Sequence, residues 1–270
     1  MNTGNLWRLI PYTIAIAHQK GGVGKTTTAL TVGACLAEQK VHTLLIDLDP
    51  SLNLTTGVGL APNFIDETLA EVLLARTPLE NAIRTTSYEN LDILPSGAGM
   101  VSLSRQLQSR PSYETMLHSL IAQPRMSIYE VVLIDCPPML DALTILALSA
   151  ADMAIIPTQC EYYSLQALES MFRLIRLIRA KNNTQLRYRL LVTMFDRRGK
   201  FHARVLNLLR EHYSNALFKS TIGFDTRVRE SQMAGVPLTV FAPNCRATEH
   251  YRTLSKELLF YVQRKRSETV

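Results

Sequence analysis

The chain has 270 residues, of which 47% are apolar and 19% are charged, and its formal net charge is +6. This length and apolar content suffice for one large α/β domain or two small ones. No segment approaches the roughly 18 uninterrupted apolar residues of a membrane-spanning helix. The cysteines, none of which forms a C-x-x-C pair, are expected to be reduced, mostly buried thiols of a cytoplasmic protein rather than a disulfide frame or zinc site. They are Cys35, Cys136, Cys160 and Cys245.

The charge is unevenly distributed along the chain. Residues 1–170 carry 9 Lys and Arg against 16 Asp and Glu, whereas residues 171–270 carry 20 against 7. A basic C-terminal third in an otherwise acidic chain indicates a surface that faces a polyanion. A solvated basic face without a ligand would give the same composition.

Apolar strand-like runs alternate with segments of helical periodicity. Some runs, such as Val131 to Ile134, are apolar on both faces, which is typical of parallel strands covered by helices on both sides. With no linker or repeat, the sequence predicts one domain over residues 1–270, a doubly wound, mostly parallel sheet flanked by helices. The predicted strands are 12–18, 42–48, 91–95, 130–135, 153–157, 187–194 and a weaker 217–221. The predicted helices are 25–39, 67–75, 99–118, 141–149, 164–180, 200–212, 226–233 and 246–265.

Residues 18–28 form a Gly-rich loop between the first predicted strand and the first predicted helix. Three glycines in four positions leave backbone N–H groups free to converge on an anion, and the helix directs its positive end to the same place. Lys25 is placed to reach β- and γ-phosphates, and the Thr26 hydroxyl is placed to hold Mg²⁺. The loop therefore predicts a nucleoside triphosphate site.

Two residues of this loop depart from the common G-x-x-x-x-G-K-[ST] pattern. Gln19 stands where that pattern has its first glycine, and a second lysine, Lys20, directly precedes the glycines.

Acidic residues follow two other strand-like runs. Ligands of such sheets lie at the carboxyl ends of the strands, and Asp135 at the end of one run is the expected outer-shell partner of Mg²⁺. Asp47 and Asp49 end another run and share a face because they are two residues apart. One of them is placed to orient the attacking water and contact the metal shell. Alternatively, one of the two, Asp49 more readily than Asp47, only caps the strand end.

These motifs together resemble the ParA group of deviant-Walker ATPases, also called ParA/MinD or SIMIBI proteins. The resemblance covers nearly the whole chain in order and implies a P-loop NTPase fold. Because the loop starts near residue 20, it implies the small type without an N-terminal helix-turn-helix extension. The matching segments are 20–27, 46–50, 134–138, 156–163, 193–196 and 221–230.

The resemblance implies ATP and Mg²⁺ as cofactors. It gives Lys20 the role of the signature lysine, which reaches the ATP of a partner subunit, as an arginine finger does in trans. Asp47 then activates water, and Gly21 lets two subunits approach closely. The implied catalytic residues are Lys20, Lys25 and Asp47, and the implied metal residues are Thr26, Asp47 and Asp135. The implied nucleotide-binding residues are Lys20, Gly21, Gly22, Val23, Gly24, Lys25, Thr26, Thr27, Met194 and Asp196.

The resemblance also implies a function: a slow, partner-stimulated ATPase that dimerises on ATP, binds double-stranded DNA non-specifically and segregates chromosomes or plasmids with a ParB-like protein. Such a protein is cytoplasmic and associated with the nucleoid. Phosphate contacts need only positive charge at suitable spacing, so binding is expected to be salt-sensitive. There are two alternatives to DNA contacts: Arg197 or Arg198 lies near the adenine instead, and Arg227 has a structural role. The candidate DNA-binding residues are Arg173, Arg176, Arg198, Lys200, Arg204, Arg227 and Arg229.

Two segments depart from the family pattern. Ser51-Leu52 replaces the usual Gln-Gly, which affects a loop expected to sense the γ-phosphate. Residues 222–225 read Ile-Gly-Phe-Asp where the family has Ile-Pro-Arg-Asn, which affects adenine or DNA contacts.

Three other functions would use a similar phosphate loop. A MinD-like protein would bind a membrane through a C-terminal amphipathic tail, and residues 251–266 do carry an apolar stripe, but we expect this stripe to pack on the sheet. An electron-transfer ATPase would need cysteines bridging an iron–sulfur cluster, whereas Cys136 is expected to pack in the core. A ParA-like ATPase that positions another cargo would keep the same site.

Overall fold

The structure, a computed structural model, describes residues 10–268 except residues 62 and 64, so the first nine residues of the predicted domain lie outside it. Within these ranges one sheet has eight strands, and its strand order is β3-β4-β2-β5-β1-β6-β7-β8. All neighbouring strands are parallel except β3, which pairs with β4 in the antiparallel sense. The strands are β1 (Tyr12–Ile16), β2 (Thr43–Asp47), β3 (Arg84–Thr85), β4 (Leu91–Leu94), β5 (Val131–Asp135), β6 (Met153–Gln159), β7 (Arg187–Phe195) and β8 (Leu217–Gly223).

Helices cover both faces of this sheet, and the predicted doubly wound, mostly parallel α/β fold is confirmed. The residues of β1, β2, β5 and β6 are all buried, which explains why these strands read as continuous apolar runs. The helices are α1 (Lys25–Glu38), α2 (Asn53–Gly57), α3 (Leu69–Leu73), α4 (Leu79–Ala82), α5 (Gly99–Leu107), α6 (Met116–Ile121), α7 (Ala142–Ala150), α8 (Tyr162–Lys181), α9 (Lys200–Tyr213), α10 (Arg227–Ala234), α11 (Leu238–Phe241) and α12 (Arg246–Glu268).

The single helix predicted over 99–118 is wrong. The chain forms α5, a connection and then α6. Pro111 disfavours helical backbone at the residue before it, and Ser112 has a left-handed backbone with φ of 55°. The helix predicted over 67–75 is shorter: Thr68 caps α3, and Ala75 follows it with φ of 56°. The short elements α2, α4, α11 and β3 were not predicted because they span too few residues to show a period.

The last helix, α12, packs against the sheet and α1. Its apolar residues Leu254, Leu258 and Val262 are buried, and the Tyr251 hydroxyl lies 3.3 Å from the Thr28 hydroxyl of α1. The expectation that this stripe packs on the sheet is confirmed, while the side chains of residues 265–270 lie outside the described part. No helix in the described ranges is long and apolar enough to cross a membrane.

The strand order brings the carboxyl ends of β1, β2 and β5 together. In the parallel register Asp135 pairs with Ile16 on one side and with Asp47 on the other. Because the Gly-rich loop follows β1, the loop and both carboxylates meet at one edge of the sheet.

Candidate nucleotide site

The Gly-rich loop has the backbone that a phosphate-binding loop needs. Gly22 and Gly24 have φ of 73° and 90°, in the left-handed region that favours glycine. An ideal Cβ placed on Gly21, Gly22 or Gly24 would meet no described atom within 4 Å. The loop therefore leaves an open space, with the N-terminus of α1 behind it, that fits an anion.

Side chains from neighbouring strands brace this loop. The Gln159 amide at the end of β6 donates to the Gly22 carbonyl at 3.0 Å, and the Thr193 hydroxyl of β7 donates to the Val23 carbonyl at 2.9 Å. Neither residue had a predicted role, although each is a polar residue near the carboxyl end of an apolar strand. Together they fix the loop before any ligand binds.

His18, which had no predicted role, is a buried part of the loop. Its Nδ1 accepts the Lys20 backbone N–H at 2.9 Å, and the ring is 1% exposed. Burial and the nearby Lys25 ammonium lower the pKa of His18 to about 4. The ring is therefore neutral at pH 7 and serves as a hydrogen-bond acceptor.

A cleft of about 1060 Å³ lies over the loop. Lys25 and Thr26 line it, and Thr27 at its wall accepts a hydrogen bond from the Gln232 amide at 2.6 Å. Burial lowers the pKa of Lys25, and the Asp135 carboxylate partly opposes that shift. A desolvated ammonium at this position gains strongly from a negatively charged ligand.

Asp135 is a fully buried carboxyl group without a partner. Neither of its oxygens accepts a hydrogen bond from the residues that the structure describes. Burial and the neighbouring Asp47 charge raise its pKa well above the usual range, while the Thr26 hydroxyl and the Lys25 ammonium act in the opposite direction. Such a group is stable as an anion only when a cation lies nearby.

In Asp47, by contrast, both carboxylate oxygens accept hydrogen bonds from the protein. Its Oδ2 accepts the Thr55 backbone N–H at 2.9 Å and the Thr55 hydroxyl at 2.7 Å, and its Oδ1 accepts the Asp49 N–H at 3.1 Å. Burial raises the pKa of Asp47 to about 6 even though these hydrogen bonds lower it. Asp49 lines the cleft and also accepts the Ser51 N–H at 2.9 Å, while its role toward water or metal stays a prediction.

These residues fit Mg²⁺ only together with a ligand. No group of three His, Cys, Asp or Glu residues in the described part of the chain could hold a metal ion alone. Mg²⁺ commonly takes one or two protein oxygens and completes its shell with phosphates and water. Thr26 in the cleft and the unpartnered Asp135 match that pattern, whereas the place of Asp47 in the metal shell stays a prediction.

Lys20 at the rim of the cleft is held within its own chain. Its ammonium forms an ion pair with Glu161 and donates to the Gln159 Oε1 and to the Ser164 hydroxyl, each at 3.2 Å. These partners lie at the end of β6 and the start of α8. Contact with a second subunit would require Lys20 to leave them.

The distal end of the cleft, which continues into a smaller adjoining pocket, is more exposed than the phosphate end, and we define it by Met194, Asp196, Phe224, Asp225 and Arg229. Met194 has φ of 52°, and its sulfur lies 2.8 Å from the Gln159 amide. The Arg229 guanidinium lies 5.7 Å from the centre of the Phe224 ring. The departure of residues 222–225 from the family pattern therefore falls in the cleft wall.

The other departure, Ser51-Leu52, lies at the start of α2. Leu52 has φ of 62°, a conformation that the usual family glycine adopts at little cost and that a leucine adopts with strain. The residue change has therefore kept the glycine-like backbone.

The candidate DNA-binding residues are all exposed, but they have different surroundings. Arg198 lines the cleft and pairs with Asp196, with Nε 3.3 Å from Oδ1, and its place near the adenine stays a prediction. Arg227 pairs with Glu230 at 2.9 Å. Arg229 also lines the cleft. The exposed remainder lies on α8 and α9: Arg173, Arg176, Lys200 and Arg204.

Known proteins are similar to this chain in sequence and in fold. The family model described as AAA domain matches residues 12–188. The sporulation initiation inhibitor protein Soj of Bacillus subtilis is 35% identical over 91% of this chain and 97% of its own length. The chromosome partitioning protein ParA of Caulobacter vibrioides is 35% identical over 91% of this chain and 93% of its own. The crystal structure of cobyrinic acid a,c-diamide synthase from Mycobacterium smegmatis with bound ATP analog and magnesium has a TM-score of 0.81 at 29% identity, covering 93% and 95% of the two chains.

A parallel sheet with a Gly-rich loop after β1 and carboxylates at the ends of β2 and β5 defines a P-loop ATPase of the ParA/MinD class. Within that class, the chain belongs to the ParA-type ATPases.

Proposed function

We propose that the protein is a Mg²⁺-dependent ATPase that forms an ATP-bound homodimer, binds double-stranded DNA non-specifically and segregates chromosomal or plasmid DNA with a ParB-like partner. One observation carries the nucleotide chemistry. Lys25, Thr26 and the open backbone of the loop line one cleft, and the buried Asp135 carboxyl lies close enough to Lys25 and Thr26 to interact with both. Relatives named as chromosome partitioning proteins support the biological role.

Each residue has a physical task in this proposal. The loop N–H groups and Lys25 hold the phosphates, and Asp47 orients the attacking water. Bound Mg²⁺ would neutralise charge on the phosphate oxygens, with Thr26 as its ligand and Asp135 in its outer shell. Lys20, once released from Glu161, supplies positive charge to the partner subunit's ATP.

DNA binding is proposed for the basic C-terminal third. Exposed cations on α8 and α9, of which Arg173 lies 4.0 Å from Glu169, would contact phosphates without reading bases, so affinity is expected to fall steeply with salt. The ATP-bound dimer would bring two such surfaces together and bind far more tightly than a monomer. This nucleotide dependence would associate the protein with the nucleoid.

The test is DNA binding with ATP, ADP and no nucleotide in the wild type and three variants. Lys25→Ala is expected to lose ATP binding, and Lys20→Ala is expected to bind ATP without forming the DNA-bound dimer. Asp47→Ala is expected to stay on DNA longer because hydrolysis no longer ends the bound state. If ATP does not promote DNA binding and Asp47→Ala does not prolong it, the proposed cycle is wrong.

A MinD-like attachment to membranes finds no support in the apolar stripe of α12, because Leu254, Leu258 and Val262 are buried, although Phe260 of the same helix is exposed. Sedimentation with anionic vesicles and ATP checks this directly. Trimming the helix is a poor test, because it removes core residues such as Tyr251 and Leu254.

A further inference from the structure

The Thr27 hydroxyl at the wall of the cleft is held by a residue from a distant helix. Gln232 of α10, which also lines the cleft, donates its side-chain amide to the Thr27 hydroxyl oxygen at 2.6 Å. The two residues are 205 positions apart in the chain. Gln232 is exposed, whereas Thr27 is only 9% exposed. No sequence motif marked Gln232, because this contact depends on where the fold brings α10.

The hydrogen-bond partners of the Thr27 hydroxyl determine where its proton points. A threonine hydroxyl has one proton to donate, and in a helix it commonly donates to the carbonyl three or four residues earlier. The carbonyl four residues before Thr27 is that of Val23, and it already accepts the Thr193 hydroxyl at 2.9 Å. Within the described part of the chain, the Thr27 side chain makes one hydrogen bond, which it accepts from Gln232. The hydroxyl therefore keeps its proton for a ligand in the cleft.

The position of Thr27 selects the part of a nucleotide that this proton would meet. Lys25 and Thr26 line the main cleft but not the smaller adjoining pocket, whereas Thr27 lines both, and Phe224 and Arg229 are among the other residues of that pocket. Thr27 thus lies at the junction between the phosphate end and the distal end. If Lys25 holds the β- and γ-phosphates, the group at this junction is the α-phosphate, whose ionised oxygens accept strong hydrogen bonds.

We infer that Gln232 is a positioning residue for nucleotide binding: by donating to the Thr27 hydroxyl oxygen, it directs the Thr27 proton toward the α-phosphate. This inference rests on the proposed function, in which the cleft binds ATP, and it does not involve the hydrolytic step. ADP and ATP both carry the α-phosphate. Loss of the contact should therefore weaken the binding of both nucleotides by the same factor and leave kcat unchanged.

Variants of the two partners isolate this hydrogen bond. Gln232→Met keeps the length of the side chain but removes the amide. Gln232→Glu replaces the amide by a carboxylate that only accepts and would draw the Thr27 proton away from the nucleotide. Thr27→Val removes the hydroxyl, and Thr27→Ser keeps it. Gln106→Met is the control, because the exposed Gln106 of α5 also donates its amide to a hydroxyl, that of Ser102 at 2.9 Å, outside the lining of the cleft.

The readout is the dissociation constant of ADP and of ATP at fixed Mg²⁺, from competition with a fluorescent analogue, together with steady-state kcat and KM. Gln232→Met is expected to weaken both nucleotides about 5- to 10-fold with kcat within about twofold, and Gln232→Glu to weaken them more. Thr27→Val should weaken both at least about tenfold, and Thr27→Ser less than about threefold. Gln106→Met should behave as wild type. Thermal unfolding of Gln232→Met without nucleotide should match the wild type, because the residue is exposed.

A double variant tests whether Gln232 acts through Thr27. Gln232→Met/Thr27→Val is expected to bind ADP within about twofold of Thr27→Val alone. Losses that add in the double variant, or wild-type affinity in Gln232→Met, would overturn the inference. Tighter binding in Gln232→Met would also overturn it, because the amide would then obstruct the cleft. A loss for ATP without a loss for ADP would contradict the contact with the α-phosphate.

Lys25→Ala separates this failure from failure of the proposed function. If Lys25→Ala binds ATP as tightly as the wild type, the cleft is not the nucleotide site and the Gln232 inference falls with it. If Lys25→Ala loses ATP binding while Gln232→Met and Thr27→Val keep it, only the inference is wrong. If Thr27→Val loses affinity and Gln232→Met does not, Thr27 contacts the nucleotide without help from Gln232, and the positioning role is excluded.

Discussion

The two ends of the cleft are held in different ways. At the phosphate end, which comprises residues 18–27 with Asp47 and Asp135, buried groups and backbone geometry define the site. At the distal end, exposed side chains such as Phe224 and Arg229 form the wall. We therefore expect the strength of nucleotide binding and the chemistry to depend on the phosphate end. The residues of the distal end are expected to tolerate change, and residues 222–225 already depart from the family pattern there.

The largest effect is expected from Asp135→Asn at the phosphate end. Loss of the outer-shell charge should lower Mg²⁺-dependent ATP hydrolysis by about 100-fold, or ~2.7 kcal/mol. The ligand-free protein should not lose stability, because the buried carboxylate has no hydrogen-bond partner among the described residues. Turnover and thermal unfolding with and without Mg-ATP measure both effects. Thermal stabilisation by Mg-ATP equal to that of the wild type would place the metal elsewhere.

The next largest effect is expected from the titration of His18, which makes the free energy of unfolding depend on pH. Its pKa in the folded protein is about 4 against about 6.5 when unfolded, so the unfolded state binds more protons between these values. The stabilisation by neutral His18 is complete above about pH 6.5, decreases as pH falls, and should be ~2 kcal/mol smaller at pH 5.

Urea unfolding of the wild type and His18→Asn at pH 7.5 and pH 5 tests this. Asparagine keeps an acceptor for the Lys20 N–H but does not titrate. The wild type should lose more stability than the variant at the lower pH. Parallel losses in both proteins would show that groups other than His18 determine the pH response.

A smaller effect is expected from Arg229→Ala at the distal end. Because this guanidinium is exposed, ATP affinity should fall less than about threefold, or ~0.6 kcal/mol. If Arg229 contacts DNA phosphates, the salt slope of DNA binding should decrease by about 1. Arg204→Ala on α9 is the matched control for ATP affinity. A tenfold loss of ATP affinity in Arg229→Ala alone would contradict the contrast between the two ends.

Leu52→Gly is expected to have the smallest effect. Removing the side chain relieves the strain of the left-handed conformation, which costs about 1–2 kcal/mol. Glycine also raises the conformational entropy of the unfolded chain, so the net gain in the free energy of unfolding should be ~0.5 kcal/mol. The urea midpoint measures it, with Lys40→Gly as a control, since Lys40 has φ of 60° just after α1 ends and away from the cleft. A lower midpoint for Leu52→Gly would mean that the leucine contributes packing that outweighs its strain.

The sequence predicted the phosphate end well because its determinants are local. A Gly-rich run after a strand and carboxylates at strand ends need only the chain order to be placed. The contacts of Lys20 and Thr55 could not be predicted, because they depend on tertiary neighbours: Lys20 meets Glu161, which is 141 residues away. The break in the helix predicted over 99–118 was missed for the opposite reason, since the apolar period outweighed the local signal of Pro111.

Under the proposed function, the contact between Lys20 and Glu161 would raise the protein concentration at which subunits pair. In the proposed dimer, each monomer must open this ion pair first, and a partly exposed pair worth ~0.5 kcal/mol leaves about a third of the monomers open. Because both subunits must open this ion pair, the apparent dissociation constant of the dimer is about tenfold higher. Sedimentation of Glu161→Gln with ATP should show dimers at several-fold lower concentration, and unchanged dimerisation would assign the contact no such role. The number of copies in the cell, together with nucleotide, would then determine when subunits begin to pair.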